Sequence, residues 1–453
     1  MNRDSVGDER AVSPLIGAIL LLAILMTMLA LLQLNAVPAL VSEAEFNHNQ
    51  RVQGEMRDVA AGIDRSVATG TSQSIALTPG VRYQSRLFLL NPPPATGTVR
   101  TGEPENVTIE NAVAQGETGD YWDGSPNRIE TQPLIYTPEY NEYHDAPQTV
   151  YELGTVYNRI GETTLVTDGH QLIDGRTITL TTLRGEVSHT GVDRTLLKIR
   201  PSSPETRSVL VSGRADDPPK LTVPTELTKE QWDDLLKSEL TKNGGYVTDY
   251  TCETAPPNPC DKLTITLQAS ETYEMQLAQV WVDDDSVTRN GIYLTDVEGS
   301  NVSVPAGGRQ RLITEVRDKF DNPVSGVSVE AKVSSGQGIV SPVEQASGTD
   351  GRMTFIYEAP DDISKVQNVT VVAEFGGDDK GQNDKEKVGF ELQVWGESGN
   401  EEGPDDDQGP PEHAGPPTDS DGEEELDDGE EPGNRGESSW DRGRPFTFEP
   451  SFS

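Results

Sequence analysis

The chain has 453 residues, enough for about three domains. It carries 36 Lys and Arg against 76 Asp and Glu, a net charge of −40. So acidic a surface excludes electrostatic nucleic-acid binding, because phosphate needs a basic face to neutralise it. Only 33% of residues are hydrophobic, while 43 Gly and 31 Pro suit turn-rich β structure better than helical bundles. The acid is spread along the chain. Residues 397–453 hold 19 acids and three Arg, net −16, which leaves −24 for residues 1–396. Such a surface repels itself in dilute buffer, whereas molar salt, with a Debye length of roughly 3 Å, screens it. The charge reads as halophilic; the competing reading is a mesophilic protein that is simply acidic.

Residues 15–34 read LIGAILLLAILMTMLALLQL, twenty residues without a charge, long enough to cross a bilayer as a helix. A secretory signal has a shorter apolar core and a small-residue cleavage site. Here the run continues into Asn35, Ala36 and Val37 with no such site. The flanking charges, Arg3 and Arg10 against Asp4, Asp8 and Glu9, give only a weak positive-inside signal. Few residues precede the span and the large acidic body follows it. The expectation is therefore a single-pass membrane protein, N-terminus cytoplasmic and ectodomain extracellular.

Just before the span stands Arg10-Ala11-Val12-Ser13-Pro14-Leu15-Ile16-Gly17. This octapeptide resembles the class III signal of archaeal type IV pilins. The resemblance implies cleavage by a prepilin peptidase between Ala11 and Val12, with the apolar helix kept in the mature chain. It covers about thirty residues; a plain N-terminal anchor with Pro14 in its first turn is the other reading. From Val52 the apolar positions continue as Met56, Val59, Ile63 and Val67, one face of an α-helix, and Gly70 ends the pattern. Pro38 reads as a kink between the two segments. Residues 1–11 are thus a leader and 12–70 a membrane helix with a stalk helix, the layout of a pilin-like protein.

Residues 71–285 read as a β-rich ectodomain. Strand composition appears at 82–90, 177–183, 194–199, 207–211 and 262–267, the second alternating Thr with Ile or Leu. One helix interrupts near 228–243: Thr228 and Gln231 form a capping-box pair, and Trp232, Leu235, Leu236 and Leu240 line one face before Gly244. Residues 136–153 hold four Tyr among acids, either a recognition patch or aromatic packing at a sheet edge. Cys252 and Cys260 flank a proline-rich loop. They suit a small disulfide if the ends meet. A two-ligand metal site competes, but no further Cys exists and no His lies nearby in sequence.

Residues 286–396 form the clearest module. Strand-like runs at 309–317, 327–333, 351–357, 366–375 and 388–395 are separated by turns such as Asp321-Asn322-Pro323 and Thr349-Asp350-Gly351, a β-sandwich pattern. Residues 304–333, 348–360 and 369–375 resemble the bacterial Ig-like repeats of the invasin and intimin type. The resemblance implies a rigid extracellular spacer or adhesive module. The pilin-like resemblance extends diffusely to the haloarchaeal surface proteins that carry β-rich ectodomains.

The tail, residues 397–453, is Gly, Pro, Asp and Glu with almost no aliphatic side chain, and reads as disordered. Asp419 to Gly422 echoes the start of a calcium loop without its later ligands. The last nine residues bring back Phe446, Phe448 and Phe452, either a docking peptide or a frayed end. No phosphate-cradling loop, zinc-protease motif or nucleophile elbow is present, and the five His are scattered. The fold expected is mainly β: membrane helix, amphipathic helix, β-rich ectodomain, Ig-like sandwich, acidic tail. The function expected is a pilin-like cell-surface protein, filament-associated or adhesive, and not an enzyme. The alternative is an anchored ligand-binding or hydrolytic ectodomain. Its partners are the prepilin peptidase, other pilin-like subunits or surface components, and the bilayer; no cofactor, metal or nucleic acid is expected. Asn106, Asn301 and Asn368 head glycosylation triplets that matter only outside the cell.

Overall fold

The structure, a computed structural model, describes residues 12–86, 90–161, 163–169, 172–254, 259–284, 291–376 and 387–396. The leader, with Ala11, and the acidic tail lie outside the described residues.

The chain opens with α1, Val12–Leu31, passes through one π-helical turn, Leu32–Ala36, and resumes as α2, Val37–Thr69. Leu15–Thr69 alone is 55 residues, roughly 80 Å of helix at the usual rise. Pro38 was expected to kink the junction. Instead the helix runs on through it, and the Val37 N–H bonds the Leu32 carbonyl across the π-turn. Proline supplies no N–H and its ring crowds the preceding turn, so a wider turn just upstream accommodates it. Gly70 ends α2 in the left-handed conformation at φ 65°, where a side chain would be strained.

The two halves of the helix differ in what covers them. Consecutive α1 residues such as Leu20, Leu21, Leu22, Ile24, Leu25 and Met26 are exposed, so every face is bare and apolar. On α2, Val52, Met56, Val59, Ile63 and Val67 are buried against Leu77, Val99, Leu134, Tyr136, Tyr151, Leu197, Ile199 and Val280. The stalk face predicted from spacing is therefore part of the β-domain core. A Cβ on Gly62 would come within 2.7 Å of Ile75 and 3.3 Å of Ile199, so glycine lets the helix lie close on the sheet.

Among the described residues the strands form five sheets. The first runs Gln73–Leu77, Thr195–Ser203, Thr272–Val282, Thr177–Gly185 and Ile173–Asp174, with Val209–Ser212 also pairing Thr272–Val282. Its central pair, Thr177–Gly185 with Thr272–Val282, is parallel. The second runs Ser188–Gly191, Thr96–Thr101, Leu134–Glu139, Gln148–Glu152, Thr155–Ile160 and Thr163–Gly169. The third runs Val247–Cys252, Lys262–Leu267, Lys220–Pro224, Glu105–Glu110 and Asn127–Thr131. Tyr136 and Tyr151 are buried on the second sheet's central strands. These two tyrosines of the tract thus pack inside the sheet rather than at its edge, while Tyr140 and Tyr143 lie in the loop between the strands.

The last two sheets make the sandwich. One is Tyr293–Glu298, Arg309–Arg317, Arg352–Glu358 and Ile339–Pro342; the other is Val302–Pro305, Lys387–Trp395, Gln367–Phe375 and Val329–Ser335. Leu312, Val316, Phe355, Tyr357, Val371 and Phe390 fill the space between them. All five strand runs read from this part of the sequence are strands.

Two expectations fail locally. Residues 82–86 and 90 are not strand; the Arg86 backbone bonds the Asn91 side chain instead, and Pro92 to Pro94 offer no N–H for a ladder. The helix near 228–243 is Lys229–Leu235 only, followed by a 3-10 turn at Thr241–Asn243. Its capping box is present. Beyond it the Glu239 carbonyl accepts the Val247 N–H at 2.7 Å, so bonding to the next strand ends the helix.

Candidate functional site

Three polar clusters stand out against this apolar frame. The first joins α2 to the tyrosine-rich loop between Leu134–Glu139 and Gln148–Glu152. Glu45 is fully buried on the helix face. Its carboxylate accepts the backbone N–H groups of Asn141 at 2.8 Å, Glu142 at 2.9 Å and Tyr143 at 2.8 Å, and the Tyr83 hydroxyl. One turn on, His48 Nδ1 lies 2.7 Å from the Tyr140 hydroxyl, and burial, with Arg51 nearby, lowers its pKa. A buried carboxylate is costly unless its lone pairs are filled; here the loop wraps the helix to fill them. The sequence signal for this clasp was present but unread: Glu45, His48 and Asn49 share the face of Val41 and Val52.

The second cluster joins the sandwich to the β domain through Asp318 to Pro323. Phe320 inserts into the β-domain core beside Trp122, Leu277 and Val211. Asn322, fully buried, donates to Ser203 Oγ and the Leu277 carbonyl, each at 2.8 Å, and accepts from the N–H groups of Thr206 at 3.1 Å and Arg207 at 3.3 Å. Asp318 Oδ1 accepts the Phe320 and Asn322 N–H groups at 2.8 and 3.0 Å. Burial pushes the Asp318 carboxyl up to about 6, against the pull of these bonds and of Ser203. Around the turn, Arg207 meets buried Glu315 at 2.7 Å, Arg317 bridges Asp321 at 2.8 Å and Thr118 at 3.1 Å, and Tyr121 stacks on Tyr293 with centroids 4.9 Å apart. The turn Asp318-Lys319-Phe320-Asp321-Asn322-Pro323, within the stretch that resembles the Ig-like repeats, is the latch between the two modules.

The third cluster is a carboxyl couple. Tyr157 donates toward Glu152 at 3.5 Å and Glu226 at 3.3 Å, and the Glu226 N–H reaches Glu152 at 3.4 Å. Burial, then the charge of Glu226, pushes Glu152 up to about 8. Leu172, Ile173, Leu227, Trp232 and Leu236 wall a small apolar cavity with Glu152 and Thr225. Arg159 pairs with Glu226. The couple can hold and release a proton, and the Tyr157 hydroxyl is bonded to it. Among the described residues no three His, Cys, Asp or Glu converge as a metal site.

Of the residues predicted from sequence, Val12 begins α1 and Ala11 lies outside the described residues. Cys252 and Cys260 are joined in a disulfide, Cα atoms 5.1 Å apart. Asn106, Asn301 and Asn368 are all exposed, on three different strands or turns. His189, one of the five scattered His, pairs with Asp283 at 2.8 Å. The structure brings none of the three Asn together with the disulfide.

The chain matches no family model. A stretch of 160 residues, 35% of this chain, is 29% identical to an uncharacterized protein of Archaeoglobus fulgidus and covers 26% of it. The chain thus spans about a quarter of that relative's length. Similar solved structures include the D00-D0 domain of intimin, 11% identical over 41% of this chain and 88% of that one, with a TM-score of 0.21. Domains 4 and 5 of the S-layer protein SbsC are 16% identical over 32% and 77%, TM-score 0.18. Invasin, a bacterial integrin-binding protein, is 14% identical over 72% and 58%, TM-score 0.18. Scores of this size do not amount to a common fold over the chain.

Proposed function

We propose that the chain is a membrane-anchored, pilin-like surface protein of a halophilic archaeon, structural, filament-associated or adhesive rather than enzymatic. Its head faces outward and its first residues lie inside the cell. The observation that carries this reading is the division of one helix: α1 is apolar and bare on every face, whereas α2 is built into the β-domain core. A bare apolar helix needs hydrocarbon or other helices around it. A helix continuous with the head transmits the head's position to whatever holds α1. The sandwich, latched by Asn322, then projects as a rigid spacer. The relative from Archaeoglobus fulgidus is in keeping with an archaeal home.

The decisive measurement is mass spectrometry of the mature N-terminus. Processing by a prepilin peptidase gives a chain that starts at Val12. A start beyond Asn35, or a retained Met1 or Asn2, refutes the pilin-like reading and leaves an anchor or a secreted head. Co-purification with filaments separates assembly from lone display. The halophilic part is tested separately: the head should melt at a clearly higher temperature in molar salt than in dilute buffer. An unchanged melting temperature rejects it.

A further inference from the structure

The strand Val209–Ser212 is fully paired along one edge and barely paired along the other. Toward Thr272–Val282 it sets Val209 against Met275 and Val211 against Tyr273. On the opposite edge Ser212 exchanges two backbone bonds with Val113, at 3.0 and 2.9 Å. Backbone groups alternate sides along an antiparallel strand, so Leu210 turns its N–H and carbonyl to the same outer edge as Ser212. Among the described residues no bond meets them. The covering chain has already left: the Ala114 N–H bonds the Trp122 carbonyl at 2.9 Å, and Thr118–Tyr121 coils into one helical turn.

That departure opens a slot of about 350 Å³ between the strand and the segment Gln115 to Thr118. Leu210 borders it with a side chain 61% exposed. Arg207, Arg317 and Asp321 also line it, two cations against one anion, in a chain with 36 bases to 76 acids. Arg317 is committed to Asp321, Thr118 and Glu315. Arg207 gives one N–H to Glu315, and its side chain is 35% exposed; a guanidinium has five N–H groups to give. A bare edge is ordinarily guarded by proline or charge, because its open groups template another strand. The sandwich strand Ile339–Pro342 ends on such a proline, whereas Val209–Ser212 carries neither guard.

We propose that this slot takes an extended acidic peptide segment of another protein, added as a short strand along Val209–Ser212. Main-chain bonds to Leu210 would hold the segment's backbone, and Arg207 would seat one of its carboxylates. The slot lies on the head, so the inference goes beyond the anchored reading and does not depend on it.

The test uses the full chain in detergent micelles, titrated by fluorescence anisotropy with three fluorescein-labelled peptides. These are Glu-Val-Thr-Val-Glu amide, its Lys-Val-Thr-Val-Lys counterpart, and the acidic peptide N-methylated at its three central residues. The acidic peptide should bind saturably, and the other two at least roughly tenfold more weakly. Leu210→Pro deletes the open N–H at an edge position, where proline is tolerated; it should weaken binding about tenfold while the circular dichroism melt stays. Absent or equal binding of the three peptides overturns the proposal, and this comparison stands even where Leu210→Pro fails to fold. A folded Leu210→Pro that binds as the parent does overturns the slot as the place of binding. A parent that sediments as a dimer the peptide cannot dissociate, with Leu210→Pro a monomer, gives the edge to a second copy and overturns the acidic partner.

Discussion

The two halves of the long helix both carry apolar residues, yet they solve different problems. On α1 the apolar residues are consecutive and exposed; on α2 they recur every three or four positions and are buried. Periodicity is what a protein core demands of a helix, because only one face meets the sheet. Hydrocarbon meets every face and demands none. The polar residues follow the same division. Gln33 and Asn35 near the end of α1 bond backbone carbonyls or amides, whereas Glu45, His48 and Asn49 on α2 bond the loop that closes over them.

The comparison breaks most visibly with matched charges. Ile63→Asp places a carboxylate in the core with no partner and should cost about 4 kcal/mol or more, abolishing the head's cooperative melt by circular dichroism. Leu25→Asp should leave that melt in place while weakening retention of the chain in the membrane fraction. An equal melt for both variants would deny that the halves face different surroundings.

Next in size is the latch. Asn322→Ala strands the N–H groups of Thr206 and Arg207 and the Leu277 carbonyl, at a cost of about 2–4 kcal/mol. The sandwich and β domain should then unfold in two calorimetric steps. A single step at an unchanged temperature would show that Asn322 does not couple them. Smaller is the clasp: Glu45→Gln keeps an acceptor but offers an amide where N–H groups converge, and should cost about 1–2 kcal/mol. Hydrogen exchange at Asn141, Glu142 and Tyr143 should rise while the sandwich amides stay protected.

The smallest expected effect depends on pH. Glu152 holds its proton to about pH 8 in the folded chain and releases it near 4.5 when free of its surroundings. Between those values the folded state binds more protons, so this group's stabilisation is full below 4.5 and is lost as pH rises to 8. Glu152→Gln stays neutral. It should therefore be more stable than the parent above pH 8, by about 1–2 kcal/mol once water's access to a partly exposed carboxyl is allowed for. Below pH 4.5 the two should melt together.

Much of this architecture was legible residue by residue. Twenty uncharged residues predicted the bare helix, the Val52-to-Val67 spacing predicted a packed face, Thr228 and Gln231 predicted a capped helix start, and five alternating runs predicted the sandwich strands. These are local properties: they depend on a period, a cap or a turn within a few residues. The segment at 82–90 misled because aromatic and apolar composition looks the same whether a backbone pairs with a strand or with Asn91 and Gln33.

What only the tertiary structure decided is which distant groups meet. Glu45 and the Asn141 N–H are 96 residues apart, and Asn322 and Ser203 are 119 apart. No period or motif in the sequence encodes those pairings. They follow from where the sheets deliver each loop, and from the rule that a polar group taken out of water must find a partner. The sequence by itself determined the bare apolar helix, the packed helix face and the strands of the sandwich. The fold determined that the stalk is core, that the Ig-like turn is a latch, and that the tyrosine-rich loop clasps the helix.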